Sequence, residues 1–391
     1  MRVLICLDKF RGSATAERAG DALATGIRSV RPDDEILIMP VADGGEGTID
    51  ALIEAGYVRH RVTVSGPLGE PVAADFAQRG AQAVIEMAQA SGQHLVTGER
   101  QPLLASTYGT GELIAAALDR GAQTIVLTAG GSASTDGGAG LLQALGARLT
   151  DAVGAEIGRG GAALQDLVEV CLDHLHPGLA AAEVILASDV DNPLLGPSGA
   201  ATVFGPQKGA TAADVATLEA ALGQWADVCA RVVPDRRDEP GAGAAGGLGF
   251  GALAGLSARR VAGIDFLIEQ TGIEAALAGA DVVVVGEGCL DRQSLNGKAP
   301  IGIAARARRL GVRVIAVAGQ IRLSDDELAA VGIGTAYSVL ARCGDLESAL
   351  RDALPTLTAI GRDLFPAEPG VIAAWGTAPT RAPATFDGGE S

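Results

Sequence analysis

The chain has 391 residues, of which 48% are apolar and only 3% aromatic, with 55 glycines and a net charge of −17. That length holds ample core and predicts one to three domains, two by preference, while the small aliphatic composition points to an α/β protein and excludes a β-sandwich. So acidic a chain lacks the basic surface that phosphate backbones require, so no nucleic-acid partner is expected and a small-molecule ligand is.

The N-terminal MRVLICLDKF is too short in apolar residues for a signal peptide, and no run approaches about 18 apolar residues, which predicts a soluble cytoplasmic protein without a membrane partner. Residues Val3 to Leu7 read as an apolar strand ending in Asp8-Lys9-Phe10-Arg11-Gly12-Ser13, after which Ser13 or Thr15 can cap a helix with Ala16, Ala19, Leu23 and Ile27 on one face. A second strand, Ile36 to Val41, runs into Ala42-Asp43-Gly44-Gly45-Glu46-Gly47-Thr48 and another helix. Two successive strands that end in acidic, glycine-rich loops suggest one shared crevice, although acids at a helix start also satisfy the helix dipole alone.

After Gly56 the pattern changes to antiparallel strands joined by a Gly-Pro turn, and a second domain is expected to begin. It holds a helix opening near Thr107 to Thr110, a strand TIVLTAGG, and the loop from Gly130 to Gly138. Backbone N–H groups and hydroxyls such as Ser132 at a helix start suit a phosphate or carboxylate, though a tight helix–sheet crossing explains the glycines equally well. The strand EVILASDV then delivers Asp189 and Asp191, followed by a glycine- and proline-containing loop long enough to bind a ligand. GAGAAG at 241–246 has no strand before it and is rejected as a dinucleotide fingerprint, and no Walker sequence exists. His174 and His176 lack a third ligand and read as surface residues.

The βα rhythm returns at Asp281. Val282 to Val285 form a run too short for a helix, expected as a central parallel strand, and Gly286, Glu287, Gly288, Asp291, Arg292, Ser294, Gly297 and Lys298 follow at its carboxyl end. Pro300 then starts a helix. The expected fold is therefore a two-domain α/β protein: a discontinuous flavodoxin- or Rossmann-like parallel-sheet domain from 1–70 and 280–378, an inserted α/β domain at 71–279, and a disordered tail at 379–391. Chain crossings are expected near 65–75 and 272–282, with a ligand cleft between the domains.

The five cysteines have no CxxC spacing, so neither a disulfide framework nor a zinc site is suggested and reduced core residues are expected. Among 30 basic residues only Lys9, Lys208 and Lys298 are lysines, each in a loop near glycine, where a compact ammonium suits better than a planar guanidinium. Acids for Mg²⁺, lysines for phosphate oxygens and glycine loops for close approach are the components of phosphoryl transfer.

The blocks DKFRGS, PVADGGEGT, IEMAQASG, STYGTGELI, GGSASTDGGAG, SDVDNPLLGPSGAATVFGPQKGA, PGAGAAGGLGFG and GEGCLDRQSLNGKAP resemble, in order, those of the bacterial glycerate kinase family. The resemblance covers roughly residues 1 to 365 and implies a two-domain kinase that phosphorylates D-glycerate to 2-phosphoglycerate with ATP and Mg²⁺. Two departures stand out: Arg11 occupies a position where the family usually has lysine, and Ser134-Thr135 replaces its Thr-Asn. The chemistry of these positions then suggests roles. Asp189, Lys298 and Lys9 are assigned to catalysis, with Asp189 as base, and Asp191 and Asp189 to the metal. Gly286, Glu287, Gly288, Asp291, Ser294, Gly297 and Lys298 are assigned to the nucleotide, and Lys9, Arg11, Ser13, Asp43, Ser132 and Lys208 to the substrate. A homodimer is the assembly considered. A kinase of a related small hydroxy acid, or a non-catalytic regulatory protein on the same fold, would use the same loops.

Overall fold

The computed structural model describes residues 1–365 other than Arg11, Asp43, Gln293 and Gly297, and omits the side chain of Asn296. The expectations for Arg11, Asp43, Gly297 and the tail at 379–391 lie outside the described residues.

Two sheets organise the chain. The first is five-stranded and wholly parallel, in the order Thr335–Ser338, Arg313–Ala318, Val282–Gly286, Arg2–Leu7, Glu35–Ile38. The valine run is its middle strand and buried along its whole length, as a β-branched segment covered on both faces should be. Its side chains alternate. Val282 and Val284 join Ile5 and Leu7 against the helices Ala16–Val30 and Ala353–Asp363, while Val283 and Val285 join Leu4 and Cys6 against Gly263–Thr271 and Ala299–Leu310. Where this strand ends, only glycine fits: a Cβ on Gly286 would stand 1.7 Å from the Val317 carbonyl oxygen.

The second sheet has six strands, in the order Arg259–Val261, Glu183–Ala187, Thr124–Thr128, Gln82–Glu86, Pro71–Arg79, Val58–Ser65. Its first four are mutually parallel and its last two pair antiparallel, as the Gly-Pro hairpin text requires. One face packs on Tyr108–Asp119, Ala139–Ala144 and Ala212–Cys229, and the other on Thr48–Glu54 and Gly263–Thr271. The helix Gly263–Thr271 lies between the sheets, giving Ile264 and Ile268 to the core of the first and Phe266 and Leu267 to that of the second.

Strand membership changes over between Ile38 and Val58 and again between Val261 and Val282, so the first crossing comes earlier than the expected 65–75. The reason is local: Val58–Ser65 has eight residues to pair with Pro71–Arg79, and a hairpin keeps both its strands in one sheet. All five cysteines are free, and Cys6 and Cys229 are buried, whereas Cys171, Cys289 and Cys343 are only partly covered. Among the described residues no helix is long and apolar enough to cross a membrane.

Candidate active site

Strand register brings the first two loops together. Leu7 pairs with Gly286, the Asp8 N–H donates to the Gly286 carbonyl at 2.8 Å, and the Gly288 N–H donates to the Lys9 carbonyl at 3.2 Å. DKFRGS and GEGCLD thus leave adjacent parallel strands side by side, at the carboxyl edge where open α/β sheets bind ligands.

Within the second loop Glu287 is 7% exposed, accepts from Ser294 Oγ at 2.6 Å, and faces Lys298 Nζ at 3.5 Å. Asp291 turns the chain: its Oδ1 accepts from the Ser294 N–H at 3.2 Å, and Ser294 Oγ accepts from the Asp291 N–H at 3.1 Å. Lys298 is the residue before the helix Ala299–Leu310, so its ammonium reinforces the positive end of that helix. Ser13 only folds back on the Phe10 carbonyl at 3.0 Å, and Thr15 is the residue that caps the first helix, accepting from the Arg18 N–H at 3.3 Å.

The loop after the second strand crosses to the other sheet. Gly44 lies over Thr128 and the Ala187 carbonyl, and Gly45 meets Gly130 so closely that a Cβ on Gly130 would stand 2.6 Å from the Gly45 Cα. From this seat Glu46 receives Lys9: Nζ donates to the Glu46 carbonyl at 3.0 Å and to Oε2 at 3.1 Å. His94, beside Glu46 Oε1, and then Lys9 hold the Glu46 carboxyl down to about 2 against the opposing effect of its partial burial.

Behind this loop stands Glu86, fully buried at the end of its strand. It accepts from the Ile49 N–H at 3.0 Å and from Gln89 Nε2 at 3.2 Å, which pins the start of Thr48–Glu54. Burial pushes its carboxyl up to about 7 despite those donors. The folded chain therefore binds more protons than the unfolded one between the ordinary value of 4.5 and about 7, and stability falls as pH rises through that window. Glu86→Gln keeps an acceptor for Ile49, so its melting curve should lose this slope and the variant should be more stable above pH 7 by up to roughly 3 kcal/mol. Parallel wild-type and variant Tm values from pH 5 to 7 would rule the assignment out.

Ser132 is buried, and its carbonyl accepts from Gln93 Nε2 at 3.1 Å. Lys208, expected in a loop as a substrate contact, lies in the tight turn Pro206–Lys208. It is 3% exposed, donates to the Ser134 carbonyl at 2.5 Å, and burial pulls its ammonium down to about 7, with Asp136 acting in the opposite direction. Asp136 is itself enclosed by Ser106, the Thr107 N–H at 2.7 Å and the Gly138 N–H at 3.2 Å, and burial raises its carboxyl. Lys208 nevertheless reaches a small depression bounded by Gln93, Arg100 and Ala133.

The two metal and base candidates have different partners. Asp189 Oδ1 accepts from the Gly263 N–H at 2.9 Å and Oδ2 from the Ile264 N–H at 3.3 Å, tying the strand end to the start of the helix between the sheets. Asp191 pairs with Arg260 at 2.5 Å and its side chain is 78% exposed. Among the described residues no three His, Cys, Asp or Glu side chains form a metal-holding group. Glu86, His94, Gln93 and Asp136 carried no assignment from spacing because each meets the site through sheet packing.

The chain-long order of these loops decides the family. The glycerate kinase family model matches residues 3–367. The chain belongs to the glycerate kinase family. A glycerate kinase of Bacillus subtilis (strain 168) is 44% identical over 370 residues, 93% of this chain and 97% of the relative. A glycerate 2-kinase of Escherichia coli (strain K12) is 42% identical over 373 residues, 93% and 97% respectively. The crystal structure of a protein described as a glycerate kinase 2 from Salmonella typhimurium LT2 superposes with a TM-score of 0.78 at 41% identity, covering 93% of this chain and 96% of that one. As a member of the glycerate kinase family the protein is a kinase.

Proposed function

We propose that the protein transfers the γ-phosphoryl group of ATP to the 2-hydroxyl of D-glycerate, giving 2-phosphoglycerate, by in-line displacement in the cytoplasm. The observation that carries this reading is the pairing of the Lys9 and Lys298 loops at the ends of adjacent parallel strands, with Glu46 of the third loop in direct contact with Lys9. Phosphoryl transfer relies on positioning and charge neutralisation, which two ammonium groups in glycine-rich loops supply.

Lys298, at a helix start, neutralises nucleotide phosphate, with Gly286, Gly288 and Ser294 shaping the loop around it. Lys9 receives the anionic substrate from the neighbouring strand, with Ser13, Ser132, Arg11 and Asp43 assigned alongside it. Lys208 acts from below Ser132 and Ser134, fixing that loop rather than offering an exposed charge. Asp189, held in direction by the Gly263 and Ile264 N–H groups, orients the substrate hydroxyl and takes its proton.

Magnesium in phosphate sites keeps waters and phosphate oxygens and needs only one or two protein carboxylates. Asp189 and Asp191 fit that demand for an ion carried in with the nucleotide, Asp191 first releasing Arg260. When bound, the ion neutralises charge on the phosphoryl oxygens.

Product identification tests the reading. With D-glycerate and MgATP, ³¹P NMR should show a phosphomonoester at the 2-position, and a panel of small hydroxy acids should give slower ADP release. A 3-phosphorylated product, or faster turnover of another hydroxy acid, would replace it.

A further inference from the structure

Lys9 and Glu46 belong to different sheets. Lys9 leaves Arg2–Leu7 of the five-stranded sheet, and Glu46 stands in the loop seated on Thr128, Ala187 and Gly130 at the ends of the six-stranded one. Glu46 is used on both sides. Its Oε2 and carbonyl accept from Lys9, while its Oε1 meets His94 Nδ1 at 3.5 Å. His94 is fixed in turn, since the turn Gln93–Leu95 begins with a Gln93 N–H that donates to the Gly131 carbonyl at 2.8 Å. Gly131 leaves room for this contact: at φ +70° it carries no Cβ, and one built there would stand 3.4 Å from Glu46 Oε1.

We propose that Glu46, backed by His94, is a positioning residue that holds the Lys9 ammonium across the junction of the two sheets, ready for the substrate anion. This deepens the reading of the site as a glycerate-phosphorylating one and rests on it for the identity of the anion. A lysine side chain carries a large rotamer entropy, and a cation already fixed in direction loses less when ligand binds. The arrangement has an electrostatic cost, because a carboxylate beside Lys9 repels an anionic substrate. Retaining an acid there is therefore explained by geometry and not by affinity, and the two effects act on different kinetic constants.

Glu46→Gln removes the charge and the ion pair. Loss of a counter-charge by itself lowers KM for glycerate and leaves kcat alone; loss of positioning lowers kcat. The expected result is a kcat about tenfold lower with KM unchanged or reduced. His94→Asn, which leaves Glu46 in place but unsupported, should move kcat the same way by a smaller factor.

A second measurement needs no substrate. The chain has only three lysines, so brief acylation with acetic anhydride followed by peptide mass spectrometry reads Lys9, Lys208 and Lys298 separately. Lys9 should label several-fold faster in both variants than in wild type, with Lys208 and Lys298 unchanged. The proposal is overturned if Lys9 labelling stays at the wild-type rate, if all three lysines accelerate together, or if Glu46→Gln alters KM alone. Absence of wild-type turnover on glycerate would fail the functional reading instead, because the labelling arm does not depend on it.

Discussion

Asp189→Asn should lower kcat by on the order of 10² to 10⁴ while the protein still folds and binds MgATP. The substrate hydroxyl is a poor nucleophile at neutral pH, and an amide cannot take its proton as the bond to phosphorus forms. The structure makes the control demanding, because Asp189 also fastens the helix Gly263–Thr271. Asparagine keeps an oxygen for the Gly263 N–H at 2.9 Å but turns an NH₂ towards one of the positions now accepting from Ile264. A helix-start substitution of this kind costs roughly 1 kcal/mol, so a modest fall in Tm is expected and is far too small to explain the kinetic loss. Melting temperature, nucleotide affinity and single-turnover rate should be measured on the same preparation. Turnover within a few-fold of wild type would leave Asp189 as a structural tie between strand and helix, and the base would have to be sought elsewhere.

Lys298→Ala should reduce kcat/KM by on the order of 10² to 10³, and Lys298→Arg should recover less than a tenth of that loss. The argument rests on Glu287. It is almost fully buried, already bonded to Ser294 Oγ at 2.6 Å, and 3.5 Å from the Lys298 ammonium. In the proposed role, an ammonium at that separation from Glu287 would be shared with an arriving phosphate. A guanidinium would fork onto both carboxylate oxygens, and that planar, bidentate pair would keep the cation turned towards the protein. Stability separates the two variants further: alanine removes one of the cationic contacts of a buried carboxylate and should lower Tm, whereas arginine should not. Steady-state kinetics with varied MgATP, together with Tm, decide the matter, and an arginine variant near wild type would show that any cation suffices.

Much of the site was legible because it is carried by runs of adjacent residues. The valine run ending in glycine identified a central parallel strand with its loop at the carboxyl edge, and the loop that begins at Asp8 leaves the strand paired beside it. A β-branched run of that length can be little else, and a parallel strand must deliver its last residues to one edge. The expectation for Lys208 shows the limit. Its glycine neighbours read as a binding loop, and nothing in them showed that Pro206–Lys208 is a tight turn packed beneath Ser134, where burial changes the chemistry of the amine.

Sequence alone thus determined the α/β class, the alternating strand–loop–helix order at both ends of the chain, the acidic small-molecule character and the family. Each follows from local periodicity, composition or contiguous motif, and none requires knowing what lies across a cleft. Tertiary structure decided which acid meets which cation: Glu46 with Lys9 and His94, Glu86 with the Ile49 N–H, Asp189 with the start of a helix more than seventy residues on, and Asp191 with Arg260. Those pairings depend on how closely backbones approach, as where Gly45 abuts Gly130, and on a helix that two sheets share. Packing sets such distances, and the same carboxylate becomes a counter-charge, a helix tie or a buried acid titrating near neutrality according to what packing places beside it.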